Sequence, residues 1–318
     1  MIFMAGKCDL QKIWEKGKDC FGPGHRTCSG CFIPTIVRTV LGCVPDGYEP
    51  VVSIATGCLE VTSTIWPHTS FGGSCIHNAF ENSASTMAGI ERAYVARKKR
   101  GEIKKKFKFV VFAGDGGTVD IGLQALSGML ERGHDILYVL YDNGCYSNTG
   151  VQRSGSTPYL ANTTTSPVGL ESNGKAQKRK DIMSIVAAHN IPYAAQANPA
   201  YLDDFIYKIN KAFSYEGPKF LSVFMPCNYG WKFPQSKTYD VAKVATETNF
   251  WPLYEIEGGK YKINYKLKKA LPVEEYLKAS GGQYAHLFKP KPNFKPIAEI
   301  QKEINEYFKT LEKKARMC

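Results

Sequence analysis

Long apolar runs are missing from this chain of 318 residues. A membrane-crossing helix needs about 18 or more consecutive apolar residues, and none is present. The first segment, Met1 to Cys20, has no apolar signal region and is interrupted by charge. A cytoplasmic protein with no membrane partner is therefore expected. Internal repeats are also absent. Acidic residues are few, 29 against 41 lysines and arginines, for a net charge of +12. Basic runs fall at 97–100, 104–106 and 178–180. They are scattered, and no recognition module accompanies them, so no nucleic-acid partner is expected. They read as solvated faces. A basic surface of this kind also suits docking of an acidic redox protein.

Other features are plentiful. With 43% hydrophobic residues the chain can bury a substantial core. The length suits one large α/β domain or two smaller ones. Ten cysteines stand at Cys8, Cys20, Cys28, Cys31, Cys43, Cys58, Cys75, Cys145, Cys227 and Cys318. Without a secretion signal, metal or cluster ligation explains such a number better than disulfides.

The chain is organised around Phe109 to Gly150. Phe109 to Ala113 is a short apolar run that suits a buried parallel strand. Thr118 to Arg132 carries Ile121, Leu123, Leu126, Met129 and Leu130 at helical spacing. Asp135 to Tyr141 is a second buried strand. This is a right-handed βαβ unit. Its first turn, Gly114-Asp115-Gly116-Gly117, lets backbone approach an anion closely where a helix begins. A carboxylate there repels phosphate unless a cation lies between them, so Asp115 points to a bridging divalent metal. The second turn, Asp142-Asn143-Gly144-Cys145, ends the next strand at the same edge. It offers the Asn143 amide oxygen and the Cys145 backbone carbonyl to the same hard cation, an oxygen shell that suits Mg²⁺.

Elsewhere α/β alternation continues. A helix is predicted at 34–41, strands at 51–55, 193–195 and 220–224, and helices at 82–97, 180–189 and 202–215. Residues 1–23 read as an extended arm packed on another subunit. Residues 256–265 read as a hairpin, 289–296 as a proline-rich linker and 297–313 as an amphipathic helix. Cys28-Ser29-Gly30-Cys31 alone could be a zinc half-site, a redox dithiol or neither. Thr56-Gly57-Cys58 and Met225-Pro226-Cys227 each follow a strand, and in a parallel sheet such ends gather at one edge.

The Gly-Asp-Gly turn, followed after roughly 28 residues by asparagine, resembles the thiamine diphosphate (TPP) motif. The wording of 114–135 and 141–158 resembles the β subunit of pyruvate:ferredoxin oxidoreductase, the TPP-binding chain of the 2-oxoacid:ferredoxin oxidoreductases. The resemblance spans about 24–251 and resumes near 274–289. It implies an α/β parallel-sheet TPP-binding fold with helices on both faces, a TPP domain over 24–252, and an extension over 253–318 packed on a partner subunit. It implies a [4Fe–4S] cluster on Cys28, Cys31, Cys58 and Cys227. It implies TPP contacts from Thr56, Gly57, Cys58, His77, Gly114, Asp115, Gly116, Gly117, Asn143, Ser147 and Asn148. Asn148 would lie by the reactive thiazolium, and Asp115, Asn143 and the Cys145 carbonyl would hold Mg²⁺.

The implied activity is CoA-dependent oxidative decarboxylation of pyruvate to acetyl-CoA and CO₂, run reversibly. Partners would be an α subunit, ferredoxin-like γ and δ subunits, and ferredoxin or flavodoxin. The family takes the glutamate that activates the aminopyrimidine from the α subunit. One departure stands out: the family often has Glu just after the paired cysteines, where this chain has Phe32-Ile33-Pro34. Oxalate or a branched-chain 2-oxoacid are alternative substrates. A non-redox TPP enzyme and a zinc-stabilised scaffold subunit are alternative functions. Cys8, Cys20, Cys43, Cys75 and Cys318 are expected to be plain thiols.

Overall fold

The computed structural model describes residues 9–317. Its strands are β1 (Tyr48–Ala55), β2 (Ser74–Asn78), β3 (Lys106–Gly114), β4 (Ile136–Asp142), β5 (Tyr193–Ala197), β6 (Lys219–Phe224), β7 (Tyr254–Glu257) and β8 (Lys260–Ile263). Its helices are α1 (Leu10–Cys20), α2 (Ile33–Gly42), α3 (Cys58–Ser63), α4 (Ser83–Lys99), α5 (Leu123–Glu131) and α6 (Ile182–Ala187). They continue with α7 (Leu202–Ser214), α8 (Asn228–Trp231), α9 (Thr238–Glu247), α10 (Val273–Ala279) and α11 (Phe294–Arg316). The strands form one sheet in the order β2-β1-β3-β4-β6-β5-β7-β8. The first six pair in parallel, and β7 and β8 close the edge antiparallel.

The strands are apolar because both faces are covered. Every residue of β4 is buried. Alternation along β3 sends Val110 and Phe112 to one core, with residues of α2 and α7. Phe109, Val111 and Ala113 go to the other, with residues of α4, α5 and α6. Burying each large side chain fully contributes roughly 1.5–3 kcal/mol. The parallel layout brings the carboxyl ends of β1, β3, β4 and β6 to one rim, where ligands bind in such sheets.

Four features differ from the sequence reading. The expected extended arm is helical from Leu10 onward. Asp9 caps α1 by accepting from the Lys12 N–H. The helix lies on α2 of the same chain so closely that a Cβ at Gly17 would come within 2.3 Å of the Arg38 carbonyl. Second, Ser74–Asn78 is a strand, added beside β1 at the sheet edge. Third, the single helix expected at 118–132 is a π turn, Gly116–Asp120, followed by α5.

Fourth, the sheet continues across the boundary expected at 252. β7 and β8 extend it, and α11 returns over them, placing Leu311 in the second core. Ile297, Ile300 and Ile304 join a third core with Trp231, Trp251 and Tyr276. The extension over 253–318 is thus folded onto its own chain as far as it is described. Cys8 and Cys318 lie outside the described residues.

Candidate functional site

Two turns make one corner of the rim. Gly114 ends β3 and Asp142 ends β4, and Asp115 and Asn143 are both buried just beyond them. A small cavity here is lined by Thr56, Gly57, Cys58, Gly114 to Gly117, Asn143, Cys145, Ser147 and Asn148, together with Phe80, Tyr141, Tyr146 and Thr149. Gly116 is needed for packing: a Cβ there would fall 2.1 Å from the Tyr146 ring, whose hydroxyl donates to the Gly116 carbonyl at 3.1 Å. Thr118 Oγ1 donates back to the Gly114 carbonyl at 2.8 Å, and Trp231 Nε1 donates to the Asn143 carbonyl at 3.0 Å. Both turns are therefore fixed by contacts beyond their own backbone.

Asp115 is 1% exposed. Its Oδ2 accepts from Ser154 Oγ, while its buried Oδ1 has no partner among the described residues. Burial, then the charge of Asp142, holds the Asp115 carboxyl well above the usual carboxylate range. Asp142 is itself paired. Arg179 Nη2 donates to it at 2.6 Å, Ser156 Oγ at 2.9 Å and the Gly144 N–H at 3.0 Å. An orphaned, desolvated carboxylate oxygen is a costly arrangement, and a cation relieves it. The corner therefore fits Mg²⁺. The Asn143 amide oxygen already accepts from the Cys145 N–H and from its thiol, each at 3.2 Å. The Cys145 side chain thus also touches the Asp115–Asn143 corner, where only its backbone carbonyl was expected to take part.

His77 does not line the cavity. It ends near the edge of β2, where Nε2 lies 2.9 Å from Thr56 Oγ1 and Nδ1 lies 3.6 Å from Glu60 Oε1. Its link to the corner runs through Thr56.

The four cysteines arrive from three separate stretches. Cys28 and Cys31 flank a tight loop ahead of α2, with the Cys31 N–H donating to the Cys28 carbonyl at 3.0 Å. Gly30 has φ +77°, and a Cβ there would meet the Gln235 carbonyl at 2.3 Å. Cys58 opens α3 and Cys227 precedes α8. The sulfurs feel one another: Cys227, Cys58 and Cys28 all raise the pKa of Cys31, and Cys227 and Cys28 raise that of Cys58. Burial is the larger cause, and it pushes the Cys31 and Cys58 thiols up to about 12. The Ile33 N–H points at the Cys31 sulfur at 3.5 Å and the Gly230 N–H at the Cys227 sulfur at 3.2 Å. Such donors favour charge on sulfur once a centre has displaced the thiol protons.

Comparison with known proteins bears on this rim. The thiamine pyrophosphate enzyme C-terminal TPP binding domain family matches residues 55–223, from the end of β1 to β6. Pyruvate synthase subunit PorB of Thermotoga maritima is 52% identical over 94% of this chain and 91% of its own length. The PorB of Methanocaldococcus jannaschii is 49% identical over 92% and 97%. Ketoisovalerate oxidoreductase subunit VorB of Pyrococcus abyssi is 41% identical over 93% and 94%.

The chain belongs to the PorB and VorB family of 2-oxoacid oxidoreductase subunits. A solved 2-oxoglutarate:ferredoxin oxidoreductase from Magnetococcus marinus shares its fold, with a TM-score of 0.56 and 20% identity over 72% of this chain and 80% of that one.

Within this PorB-type subunit several groups at the rim carry no sequence signature. Tyr141 is one: its hydroxyl is buried without a partner among the described residues, and a Cβ at Gly57 would lie 3.2 Å from it. Tyr146, Phe80 and Glu60 are others. Ser154 and Ser156 come from a loop that reads only as polar and glycine-punctuated. Arg179 comes from the basic run 178–180, which was expected to be a solvated face and instead turns its guanidinium in to Asp142. The signal available for Ser154 and Ser156 was their alternation in Arg153-Ser154-Gly155-Ser156-Thr157, which by itself names no target. Among the described residues no helix is long and apolar enough to cross a membrane.

Proposed function

We propose that this chain is the TPP-binding β subunit of a pyruvate:ferredoxin oxidoreductase. It carries Mg²⁺-TPP at the Asp115–Asn143 corner and a [4Fe–4S] cluster on Cys28, Cys31, Cys58 and Cys227. The reaction is reversible CoA-dependent oxidative decarboxylation of pyruvate to acetyl-CoA and CO₂. Electrons pass to ferredoxin or flavodoxin through ferredoxin-like subunits, and the same reading puts the complex in the cytoplasm. The observation that carries the metal assignment is the buried Oδ1 of Asp115, without a partner among the described residues, in the turn that continues into Gly116 and Gly117 and lines one small cavity with Asn143.

When bound, TPP supplies an electron sink for decarboxylating a 2-oxoacid, and the cluster supplies one-electron acceptance. The chain's own residues do the holding. Asp115, Asn143 and the Cys145 carbonyl would bind Mg²⁺, and Gly114, Gly116 and Gly117 would admit the diphosphate against backbone. Thr56, Gly57 and Ser147 would contact it, with His77 orienting Thr56. Asn148 would face the thiazolium. The acid that activates the aminopyrimidine is assigned to the α subunit. Ile121 and Tyr229, exposed apolar side chains next to rim turns, suit burial against that subunit.

A cluster suits the four thiols better than zinc because zinc has no redox role to serve beside TPP chemistry. The thiols lie near enough to raise one another's pKa, as ligands of one centre would. Pyruvate is favoured because the relatives at 52% and 49% identity are PorB subunits, while PorB and VorB subunits of Pyrococcus stand together at 41–42%. The test is an anaerobic assay of the complex against a panel of 2-oxoacids. Pyruvate should give the highest kcat/KM, and preference for oxalate or a branched-chain acid overturns the substrate.

A further inference from the structure

We propose that Ser154 and Lys175 are positioning residues for the metal carboxylate, with Lys175 acting through the loop that carries Ser154. This rests on the reading of Asp115 as a Mg²⁺ ligand.

The loop Ser154-Gly155-Ser156-Thr157 touches every segment of the corner. Ser154 Oγ donates to Asp115 Oδ2. The Gly155 N–H donates to Asp120 Oδ2 at 2.8 Å. Ser156 Oγ donates to Asp142 Oδ2 at 2.9 Å, and Thr157 Oγ1 donates to the Gly144 carbonyl at 2.6 Å. The first two contacts hold the turn after β3 and the last two hold the turn after β4. One loop thus sets the separation of the two turns that would share the cation. Gly155 is required by closeness: a Cβ there would fall 2.6 Å from Asp120 Oδ1.

Ser154 also decides how Asp115 faces. By occupying Oδ2 it leaves Oδ1 as the oxygen without a partner. A carboxylate held by one hydrogen bond from behind is the usual arrangement of a metal ligand, and removing that support typically weakens metal binding about 10- to 100-fold.

The loop needs an anchor of its own, and Lys175 supplies it. Lys175 is 1% exposed. Its Nζ donates to the Gly155 carbonyl at 3.2 Å, to the Thr157 carbonyl, and to the Lys178 carbonyl at 3.4 Å. All three acceptors are backbone, and two belong to the loop itself. Burying an ammonium is costly, and an apolar side chain would fill the same space without that cost. What an apolar side chain lacks is three donors on one atom. Arg153, Arg179 and Lys180 face the ammonium with like charge, and Asp120 opposes them.

The test is equilibrium dialysis of TPP against the purified complex, titrated with Mg²⁺, for S154A, K175M and the double variant. Each single variant should weaken Mg²⁺-dependent TPP binding by about 10- to 100-fold. The double variant should be about as weak as the worse single one, because both act on one contact. Unchanged binding in S154A overturns the proposal, as do losses in the double variant that multiply, which make Lys175 an independent structural residue. If K175M fails to assemble, S154A decides. If the unaltered complex binds no TPP, the corner assignment itself fails and takes this inference with it. If it binds and S154A binds equally, only this inference fails.

Discussion

The Asp115–Asn143 corner lies within one βαβ unit, whereas the four cysteines come from three stretches between Cys28 and Cys227. The corner is buried and cross-braced: Asp115 is 1% and Asn143 6% exposed, and Ser154, Ser156, Arg179 and Trp231 hold it from outside the unit. The proposed cysteine cage is looser. Cys28 is exposed, and its loop is tied by the Cys31–Cys28 backbone bond and by Asn228 Nδ2 on the Ser29 carbonyl at 3.0 Å. The difference teaches how each centre is made. A hard cation and a diphosphate need donors placed in advance, because small errors in position lose affinity. A cluster is its own crosslink and can gather ligands that approach from separate loops.

The sharpest way to break that contrast is Asp115→Ala. TPP binding in the presence of Mg²⁺ should fall more than about 100-fold, beyond the usual loss for a supporting residue. The cofactor-free chain should be no less stable by thermal melting, because a carboxylate raised by burial and by Asp142 has gone. Retained TPP affinity contradicts the assignment. Next in size is Cys58→Ser. Ferredoxin reduction should be lost while TPP binding stays within about threefold, since a serine oxygen ligates iron–sulfur centres poorly. Unchanged ferredoxin reduction would remove Cys58 from the cage.

Smaller effects sharpen the comparison. Gly30→Ala forces a Cβ against the Gln235 carbonyl and a positive φ on alanine. A cost of about 1–3 kcal/mol is expected, with iron per chain lowered and TPP content unchanged. If TPP content falls as well, the two regions are not separately built. The smallest effect belongs to Cys75→Ser. Burial pushes its thiol up to about 12, and it packs against the first core from the edge strand β2, with no electrostatic influence from another cysteine among the described residues. Iron and TPP content should not change, and stability should move by no more than about 1 kcal/mol.

The sequence reading reached the corner because its residues lie close together and carry unusual chemistry for their place. Glycine-Asp-glycine after an apolar strand, then Asn after the next, is a local pattern. The four-cysteine set was proposed only through the resemblance, since spacing alone does not join Cys28 to Cys227. The loop at 153–157 was not legible as support: serine hydroxyls reach partners 39 and 14 residues away, at Asp115 and Asp142, and no period records that. Lys175 looked like one more basic residue until its burial was visible.

Among the elements, β3, β4 and β6 were legible from continuous apolar runs. α1 was hidden by charge, since its apolar stripe is short and its mean hydropathy low. The last two strands were legible as a hairpin, but not as sheet members, because the pairing of Tyr193 with Glu257 spans distant sequence.

The most direct test of a shared rim is electron paramagnetic resonance of the anaerobically purified complex, before and after pyruvate and coenzyme A. A [4Fe–4S] signal that changes when both are added, and that stays silent in the Asp115→Ala complex, is the predicted result. Zinc without iron, or a cluster signal indifferent to pyruvate, would contradict a corner and cage working together.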